Sequence, residues 1–405
     1  MLKRASILAI GALFAFSTLF AIEPASAAPV CTPNTTTSGM RVVLKFTTVG
    51  TCSWDVPAGL TEISLLVVGG GGGGGGDAAG GGGAGGVYLN PALTINSSTK
   101  TIQVGAGGNG GQCSSGNAGE CTTPTLASAG FVTAGNGSPS VFDSISVAGG
   151  GKGGLYNSGA GGNGGSGGGG AASNGTGGTT TISGTFYYGN NGGTGLGMAA
   201  GGGGAGAQGT GGSNGTGGNG GDGIATDISG VTTTYAGGGG GGGQNARGVG
   251  GAGGGGGGAE SCNYRWSLGT DSRQAQAGAP NTGGGGGGAP YGCAGSAGAG
   301  GSGIVIIAYT LIPTISSLAL SSGLKTAVYR TNNTIQATLS SDGRVRFYVN
   351  GKQIPGCISV LSSSLVSSCT WKPSIRGSTN LTAKVIGGTS TLQLAVNVSA
   401  RTGRR

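Results

Sequence analysis

The stretch Ile63-Ser-Leu-Leu-Val-Val68, followed at once by the glycines Gly69–Gly76, decides the fold of this chain. Nearly every residue of its first part is apolar, which is typical of a β-strand covered on both faces. A similar run, Ile304-Val-Ile-Ile-Ala-Tyr309, closes the same region. We predict that a second sheet covers one face of these strands and that glycine segments cover the other.

The glycine segments give the chain an unusual composition, with 104 glycines among 405 residues and only 8% charged residues. Glycine loses much backbone entropy on ordering, but its missing β-carbon lets backbones approach closely. In a threefold extended helix that rises about 3.1 Å per residue, an eight-residue run spans about 25 Å. We predict a β-sandwich with an inserted polyglycine II helix bundle; the alternative is a disordered linker. The runs are Gly69–Gly76, Gly237–Gly243, Gly253–Gly258 and Gly283–Gly288.

Short strand patterns alternate with the glycine runs, so we predict an all-β glycine-rich domain over residues 28–312. Its further strands are expected at Arg41–Phe46, Thr51–Gly59 (a strand and a turn), Val87–Leu89, Leu93–Ile95, Thr101–Val104, Val141–Val147, Thr180–Tyr188 and Val231–Tyr235.

A change of composition at Pro313 predicts a second domain, a small Ig-like β-sandwich over residues 313–400, followed by a basic tail at 401–405. Asn350-Gly351 predicts a hairpin turn, because both residues tolerate positive φ. The strands of this domain are expected at Ile315–Leu320, Thr334–Leu339, Val345–Asn350, Leu381–Ile386 and Thr391–Val398.

The N-terminus has the pattern of a secretory signal peptide over residues 1–27. Lys3 and Arg4 precede the apolar run Ile7–Ile22, and Ala25-Ser-Ala27 supplies the small residues that signal peptidase requires. The alternative is an uncleaved anchor helix, because the run is close to the ~20 apolar residues that span a bilayer. We expect cleavage after Ala27, no transmembrane segment in the mature chain, and an extracellular or cell-surface location.

All cysteines lie beyond the expected cleavage site, and an even number in an exported chain favours disulfides. Zinc ligation is not expected, because the chain has neither a Cys-x-x-Cys spacing nor a histidine. Cys357 and Cys369 are expected to tie the hairpin that follows Asn350-Gly351. The local pairing that we predict is Cys31 with Cys52, Cys113 with Cys121, Cys262 with Cys293, and Cys357 with Cys369.

Charge is divided unevenly between the two domains. Residues 28–312 hold seven basic and nine acidic side chains, whereas residues 313–405 hold eleven basic side chains and the single acid Asp342. A cationic field of this kind would attract an anionic cell-wall polymer or polysaccharide. The alternative is a solvated basic surface without a dedicated partner. Nucleic acid is not an expected partner, because no nucleic-acid-binding module is recognisable.

Catalysis is not expected of this chain, because it contains no histidine and its acidic residues are scattered. We therefore predict that the protein is not an enzyme and binds no cofactor. Gly217-Gly-Asn-Gly-Gly-Asp222-Gly-Ile-Ala225 matches the nonapeptide of calcium-binding β-helices, but that motif requires tandem copies and only one occurs. Asp222 is thus a weak metal candidate.

The ends of the glycine-rich domain resemble a known family. Trp54-Asp-Val-Pro-Ala-Gly59, Gly107-Gly-Asn-Gly-Gly111 and Gly300-Gly-Ser-Gly-Ile-Val-Ile-Ile-Ala-Tyr309 are similar to the glycine-rich domain of bacterial secreted, surface and adhesin-like proteins. A similar design occurs in the glycine-rich domain of anaplastic lymphoma kinase receptors. The resemblance covers about residues 41–310 and implies an extracellular recognition or structural module, without any ligand-binding residue.

The C-terminal domain shows a weaker resemblance. Val345-Arg-Phe-Tyr-Val-Asn-Gly-Lys-Gln-Ile-Pro355, with Cys369-Thr-Trp371, resembles bacterial Ig-like repeats of surface proteins. Together these features favour a secreted or cell-surface structural or adhesion protein. The alternative is an ice- or polysaccharide-binding protein with a flat polyglycine face, which regular rows of threonine or alanine would support; Thr179–Thr181 and Thr232–Thr234 are short candidates.

Overall fold

The computed structural model describes residues 30–57, 59–112, 133–155, 159–260, 274–290 and 296–400. Every regular element in these ranges is a β-strand, so the predicted all-β class is confirmed. Residues 30–312 form two larger sheets, a small hairpin and the glycine segments. Their strands are β1 (Asn34–Ser38), β2 (Arg41–Phe46), β3 (Gly50–Trp54), β4 (Glu62–Val68), β5 (Val87–Thr94), β6 (Lys100–Val104), β7 (Ser140–Phe142), β8 (Ile145–Val147), β9 (Tyr187–Tyr188), β10 (Ile224–Thr226), β11 (Thr233–Tyr235) and β12 (Ile304–Thr310).

The two apolar runs that open and close the glycine region pair with each other. The larger sheet has the order β1-β2-β12-β4-β5-β9, and β12 lies antiparallel to β4 with Ile306 opposite Leu66. The second sheet has the order β3-β6-β7-β8. Alternate residues of β4 and β12, such as Leu65 and Ile307, pack with Ile102 and Phe142 of the second sheet in one buried cluster. One face is therefore covered by a sheet, as the sequence predicts.

The other face of the larger sheet is covered partly by glycine-rich chain. Leu66 and Ile306, both fully buried, share a cluster with Ala84, Ala205 and Ala236, which lie among the glycine segments. The β10–β11 hairpin contributes to the same cluster. Small side chains at these positions allow the extended backbones to lie close to the strands while still removing apolar surface from water.

The glycine segments also prolong the strands lengthwise. Val68 of β4 pairs with Val87 of β5, and the ladder then continues from Gly69 N–H to Gly86 O at 3.0 Å, from Gly72 to Gly83 at 2.9 Å and from Gly75 to Gly80 at 3.0 Å. Every third residue therefore bonds the same neighbour. This period matches the threefold extended helix rather than the twofold β-strand.

The remaining backbone groups of residues 69–76 bond other segments with the same period of three. We name the set of glycine-rich segments joined in this way the glycine array. Gly73 N–H donates to Gly135 O and Gly74 N–H to Gly298 O, each at 2.9 Å. The segment thus contacts six others: it donates to 80–86, 135–138 and 298–301, and it accepts from 108–111, 150–153 and 286–289.

This packing requires the absence of β-carbons. A β-carbon on Gly73 would lie closer than 3.0 Å to the backbone carbonyl of Asn109, and one on Gly285 would meet the carbonyl of Gly82 in the same way. The backbone N–H and C=O groups of neighbouring segments therefore form hydrogen bonds with one another. This packing explains why the segments are ordered, as the sequence favours, rather than a disordered linker.

Several predicted strands differ in extent. Val87–Leu89 and Leu93–Ile95 are one strand, β5, because a register shift at Ser64 on β4 accommodates Pro91. The predicted strand Val141–Val147 is the hairpin β7–β8, turned at Asp143, whose φ is 54°.

Other strands of the glycine-rich domain also differ from prediction. Of Thr180–Tyr188 only Tyr187–Tyr188 is a strand, because Gly184 and Phe186 have φ of 122° and 70°. Strands β1 and β10 were not predicted, because β1 is polar and exposed along its length and β10 has only three residues, of which Ile224 is partly buried.

The C-terminal domain consists of two sheets around its own core. Its strands are β13 (Ile315–Leu320), β14 (Thr326–Val328), β15 (Asn333–Leu339), β16 (Arg344–Val349), β17 (Lys352–Gln353), β18 (Val360–Leu361), β19 (Val366–Trp371), β20 (Gly377–Val385) and β21 (Thr391–Ser399). The order is β13-β15-β19 in one sheet and β14-β21-β20-β16-β17 in the other, with β18 paired to β16. Phe347, Ile335 and Leu381 are fully buried between them.

In this domain the predicted hairpin turn and the predicted Cys357–Cys369 pair are confirmed, but the role expected of that pair is not. Asn350 and Gly351, with φ of 44° and 77°, join β16 to β17 as a tight hairpin. Cys357 lies beside β16, where its carbonyl accepts the Phe347 N–H, while Cys369 is on β19 of the other sheet. The expectation that this pair ties a hairpin is wrong, since the bridge joins the two sheets through the core.

Candidate functional site

At the outer surface of the glycine array, side-chain oxygens accept hydrogen bonds from backbone N–H groups. An outermost segment lacks a neighbour on one side, so some of its N–H groups have no backbone partner. Asn163 Oδ1 accepts the Thr179 N–H at 2.8 Å and Asn219 Oδ1 accepts the Val249 N–H at 2.9 Å. Each asparagine thus replaces the carbonyl of a missing neighbour.

Asp222, the weak metal candidate, belongs to this set. Its Oδ1 accepts the Ala252 N–H at 2.8 Å, three residues beyond the Asn219–Val249 contact on the same pair of segments. Among the described residues, no group of three or more His, Cys, Asp and Glu side chains could hold a metal ion. The structure thus gives Asp222 a backbone-capping role, which the sequence analysis missed.

A groove of about 450 Å³ extends from the short strand β9 across the larger sheet to β2, with Tyr188, Leu89, Ser64 and Arg41 in its lining. Phe186 and Tyr188, each more than one third exposed, form part of its lining. Arg41 and Asp227 contribute a cation and an anion, and Arg41 Nη2 donates to Ile228 O at 3.1 Å. The lining thus combines two aromatic rings with one cation and one anion.

Aromatic packing fixes the wall of this groove. The Tyr88 ring meets the Tyr187 ring edge-on at 4.8 Å and the Phe186 ring at 6.2 Å. Burial, together with the nearby Tyr88, raises the pKa of Tyr187, which keeps this hydroxyl neutral. Ser64 Oγ, also in the lining, donates to Pro91 O at 2.7 Å.

The C-terminal domain concentrates uncompensated positive charge. Residues 313–400 contain eight lysines and arginines, and their single acid, Asp342, accepts hydrogen bonds from Ser362 Oγ at 2.8 Å and Leu365 N at 3.3 Å. Among the described residues, no ion pair involves residues 313–400; the pair Lys100–Asp143, at 3.1 Å, lies in the glycine-rich domain. The basic side chains of the C-terminal domain therefore have no carboxylate partner there.

Two cations even lie directly opposite each other. Arg346 on β16 pairs in register with Lys384 on β20, and both are exposed. Like charges at directly opposed positions destabilise a sheet, so this arrangement has an electrostatic cost that an anionic ligand would remove. The signal was present in the alternation Arg344-Val-Arg346-Phe-Tyr348, but the partner strand could not be inferred from sequence.

The structure brings together two of the predicted cysteine pairs. Cys31 is bonded to Cys52 and Cys357 to Cys369, with sulfur–sulfur distances of 2.02 Å. The described part of the chain has no free cysteine. Cys113, Cys121, Cys262 and Cys293 lie outside the described residues, as do residues 1–27, predicted as a signal peptide, and residues 401–405, predicted as a basic tail.

These features define a class of all-β protein in which a sandwich supports an array of hydrogen-bonded glycine segments. Residues 47–310 match the family described as "Glycine-rich domain", and since this is more than half of the chain, the chain belongs to that family. No curated protein matches the chain. Among the described residues there is no helix of the length and apolarity needed to cross a bilayer.

Proposed function

We propose that the protein is a secreted or cell-surface, non-enzymatic structural or adhesion protein. Its glycine-rich domain serves as a stiff body, and its basic C-terminal domain holds that body on an anionic cell-wall polymer or polysaccharide. Membership of the glycine-rich domain family is compatible with a structural or surface role. The Cys31–Cys52 and Cys357–Cys369 disulfides suit an oxidising compartment outside the cytosol.

Stiffness of the body is supported by its hydrogen bonding. Because successive residues of 69–75 bond different neighbouring segments in turn, bending that segment would break bonds to several others at once. Such a body resists deformation without a large hydrophobic core, which suits a structural role. Two of the six candidate threonines of the flat-face alternative have hydroxyl partners: Thr180 Oγ1 donates to Gly165 O at 2.7 Å, and Thr233 Oγ1 makes a local, exposed bond to Val231 O at 3.2 Å.

The observation that carries the proposal is the excess of cations in the C-terminal domain, where residues 313–400 have eight basic side chains and one acid. Attraction of exposed cations to a polyanion weakens as salt shortens the screening length from about 8 Å at 0.15 M to about 3 Å at 1 M. Retention that depends on this excess must therefore be reversible by salt.

The test is a wash of intact cells that express the full chain. Stepwise sodium chloride up to about 1 M should release the protein, whereas sucrose at matched osmolality should not. Immunoblotting of the wash and of the cells measures the released fraction. Retention of the protein at 1 M salt, or its release by sucrose, would show that charge does not hold it at the surface.

A further inference from the structure

The solvent-facing side of β16, β20 and β21 carries cations at one end and neutral polar groups at the other. We name it the basic sheet face and define it by Arg344, Arg346, Tyr348, Lys384, Asn380 and Gln393. These residues are exposed or half-buried, while their alternating neighbours, such as Val345 and Phe347, fill the core. The domain therefore presents an ordered, uncovered sheet surface.

The cations of this face are held in place. Arg344 Nη1 donates to Ser359 O at 3.1 Å and to Ser359 Oγ at 3.2 Å, and Arg346 Nε donates to Ile358 O at 3.2 Å. Each guanidinium uses only part of its set of donors in these contacts, so the remaining N–H groups stay available. Arg344 and Arg346 are two residues apart on one strand and lie about 7 Å apart along it.

The neutral part of the face is suited to hydroxyl groups. Lys384 Nζ lies 5.4 Å from the centre of the Tyr348 ring, which fixes that ring beside the cations. Asn380 Nδ2 donates to Gln393 Oε1 at 3.2 Å, leaving the Asn380 carbonyl oxygen and the Gln393 amide as an acceptor and a donor. Cations, an aromatic ring and a pair of hydrogen-bonded amides thus lie together on the basic sheet face.

We infer that the basic sheet face is a binding site for an acidic polysaccharide that carries carboxylate groups. The guanidinium groups match carboxylates with paired hydrogen bonds, and such a ligand would relieve the repulsion between Arg346 and Lys384. Tyr348 provides an apolar surface for a sugar ring, and the amides of Asn380 and Gln393 match sugar hydroxyls. A polyanion without sugars would use the cations alone. The inference rests on the proposed function and deepens it, because it names the polymer chemistry and the residues that contact it.

The experiment measures binding of the full chain to polygalacturonate, a carboxylated polysaccharide, with neutral dextran and inorganic polyphosphate as comparison probes. We expect binding to polygalacturonate, none to dextran and weaker binding to polyphosphate. The double substitution Arg346→Gln/Lys384→Gln should lower affinity for polygalacturonate about tenfold, as expected for two exposed charge contacts. Tyr348→Thr should weaken binding to polygalacturonate but leave binding to polyphosphate unchanged.

The matched control is Lys372→Gln/Arg376→Gln, which removes the same charge from the segment between β19 and β20, outside the face. It should keep its affinity, and circular dichroism should show native folding for all variants. Equal losses in both double variants would overturn the site while leaving charge-based retention intact. Binding to polyphosphate as tight as to polygalacturonate, or to neither polymer, would also overturn it. The salt wash of cells tests retention separately.

Discussion

Substitution of one glycine inside the array should unfold the glycine-rich domain at a measurably lower denaturant concentration. A β-carbon at position 73 would press on the Asn109 carbonyl, which already accepts the Gly135 N–H at 2.9 Å. Gly73 itself donates to Gly135 O and accepts from Gly153 N–H, both at 2.9 Å. Relief of the clash must therefore move a backbone that is fixed by several hydrogen bonds.

The magnitude follows from these contacts. Overpacking of a tight interior costs about 1–3 kcal/mol, and each lost hydrogen bond adds about 1 kcal/mol. We expect Gly73→Ala to lower the free energy of unfolding by about 3 kcal/mol, which shifts the guanidinium midpoint by about 0.5–1 M. Tryptophan fluorescence follows the transition, because Trp54 lies in the body core.

Gly76→Ala is the matched control in the same segment. Its β-carbon would meet no atom closer than 3.5 Å, and Gly76 does not have a positive φ. Alanine there should be neutral or stabilise by about 0.4–1 kcal/mol through the unfolded state. Equal midpoints for the two variants would refute the packing explanation, as would fast amide exchange across residues 69–76 in the unsubstituted protein.

Three further predictions address the Asp222 contact, the pH dependence of stability and the disulfides. Asp222→Ala should destabilise the glycine-rich domain by about 1 kcal/mol, because it removes the acceptor of the Ala252 N–H, whereas Asp222→Asn should not. Calcium should leave the thermal midpoint of the unsubstituted protein unchanged. A calcium-dependent rise of that midpoint would restore the metal interpretation. Burial raises the pKa of Tyr309, and it raises the pKa of Tyr235 despite hydrogen bonds from Ser229 and Thr233 that act in the opposite direction. The glycine-rich domain should therefore keep this contribution to stability below pH about 10 and lose it as the pH rises through the folded-state pKa values, and Tyr235→Phe should reduce that slope. A stability curve that rises above pH 10 would contradict the assignment. Cys357→Ala/Cys369→Ala should lower the free energy of unfolding of the C-terminal domain by about 2–4 kcal/mol, measured by denaturant unfolding. Cys31→Ala/Cys52→Ala should leave that unfolding transition unchanged. A larger effect of the second variant on that transition would show that the two cores are not independent.

Several features could be predicted because their signals are local. The apolar runs at 63–68 and 304–309 predicted strands covered on both faces, and the structure places each between a second sheet and small residues of the glycine region. The Asn350-Gly351 turn followed from the tolerance of both residues for positive φ. The cysteine pairs at 31–52 and 357–369 followed from short sequence separation.

The candidate surfaces could not be predicted in the same way. Arg346 and Lys384 are far apart in sequence, and only the β16–β20 register makes them neighbours. The groove depends on Phe186, whose φ of 70° is unusual for an aromatic residue and leaves no trace in the sequence. Asp222 resembled a calcium ligand through its nonapeptide match, and its role as an acceptor for the Ala252 N–H could not be predicted because that partner lies 30 residues away.

By itself, the sequence determined that the chain is all-β, where its covered strands lie and that its glycine runs can pack closely. Tertiary structure alone decided which segments surround each glycine run, so that residues 69–76 lie among six partners drawn from across the body. The physical reason is that glycine carries no side chain whose size, charge or polarity could encode a neighbour. The partners are instead set by the strands from which the segments extend and by the backbone hydrogen bonds that remain to be satisfied.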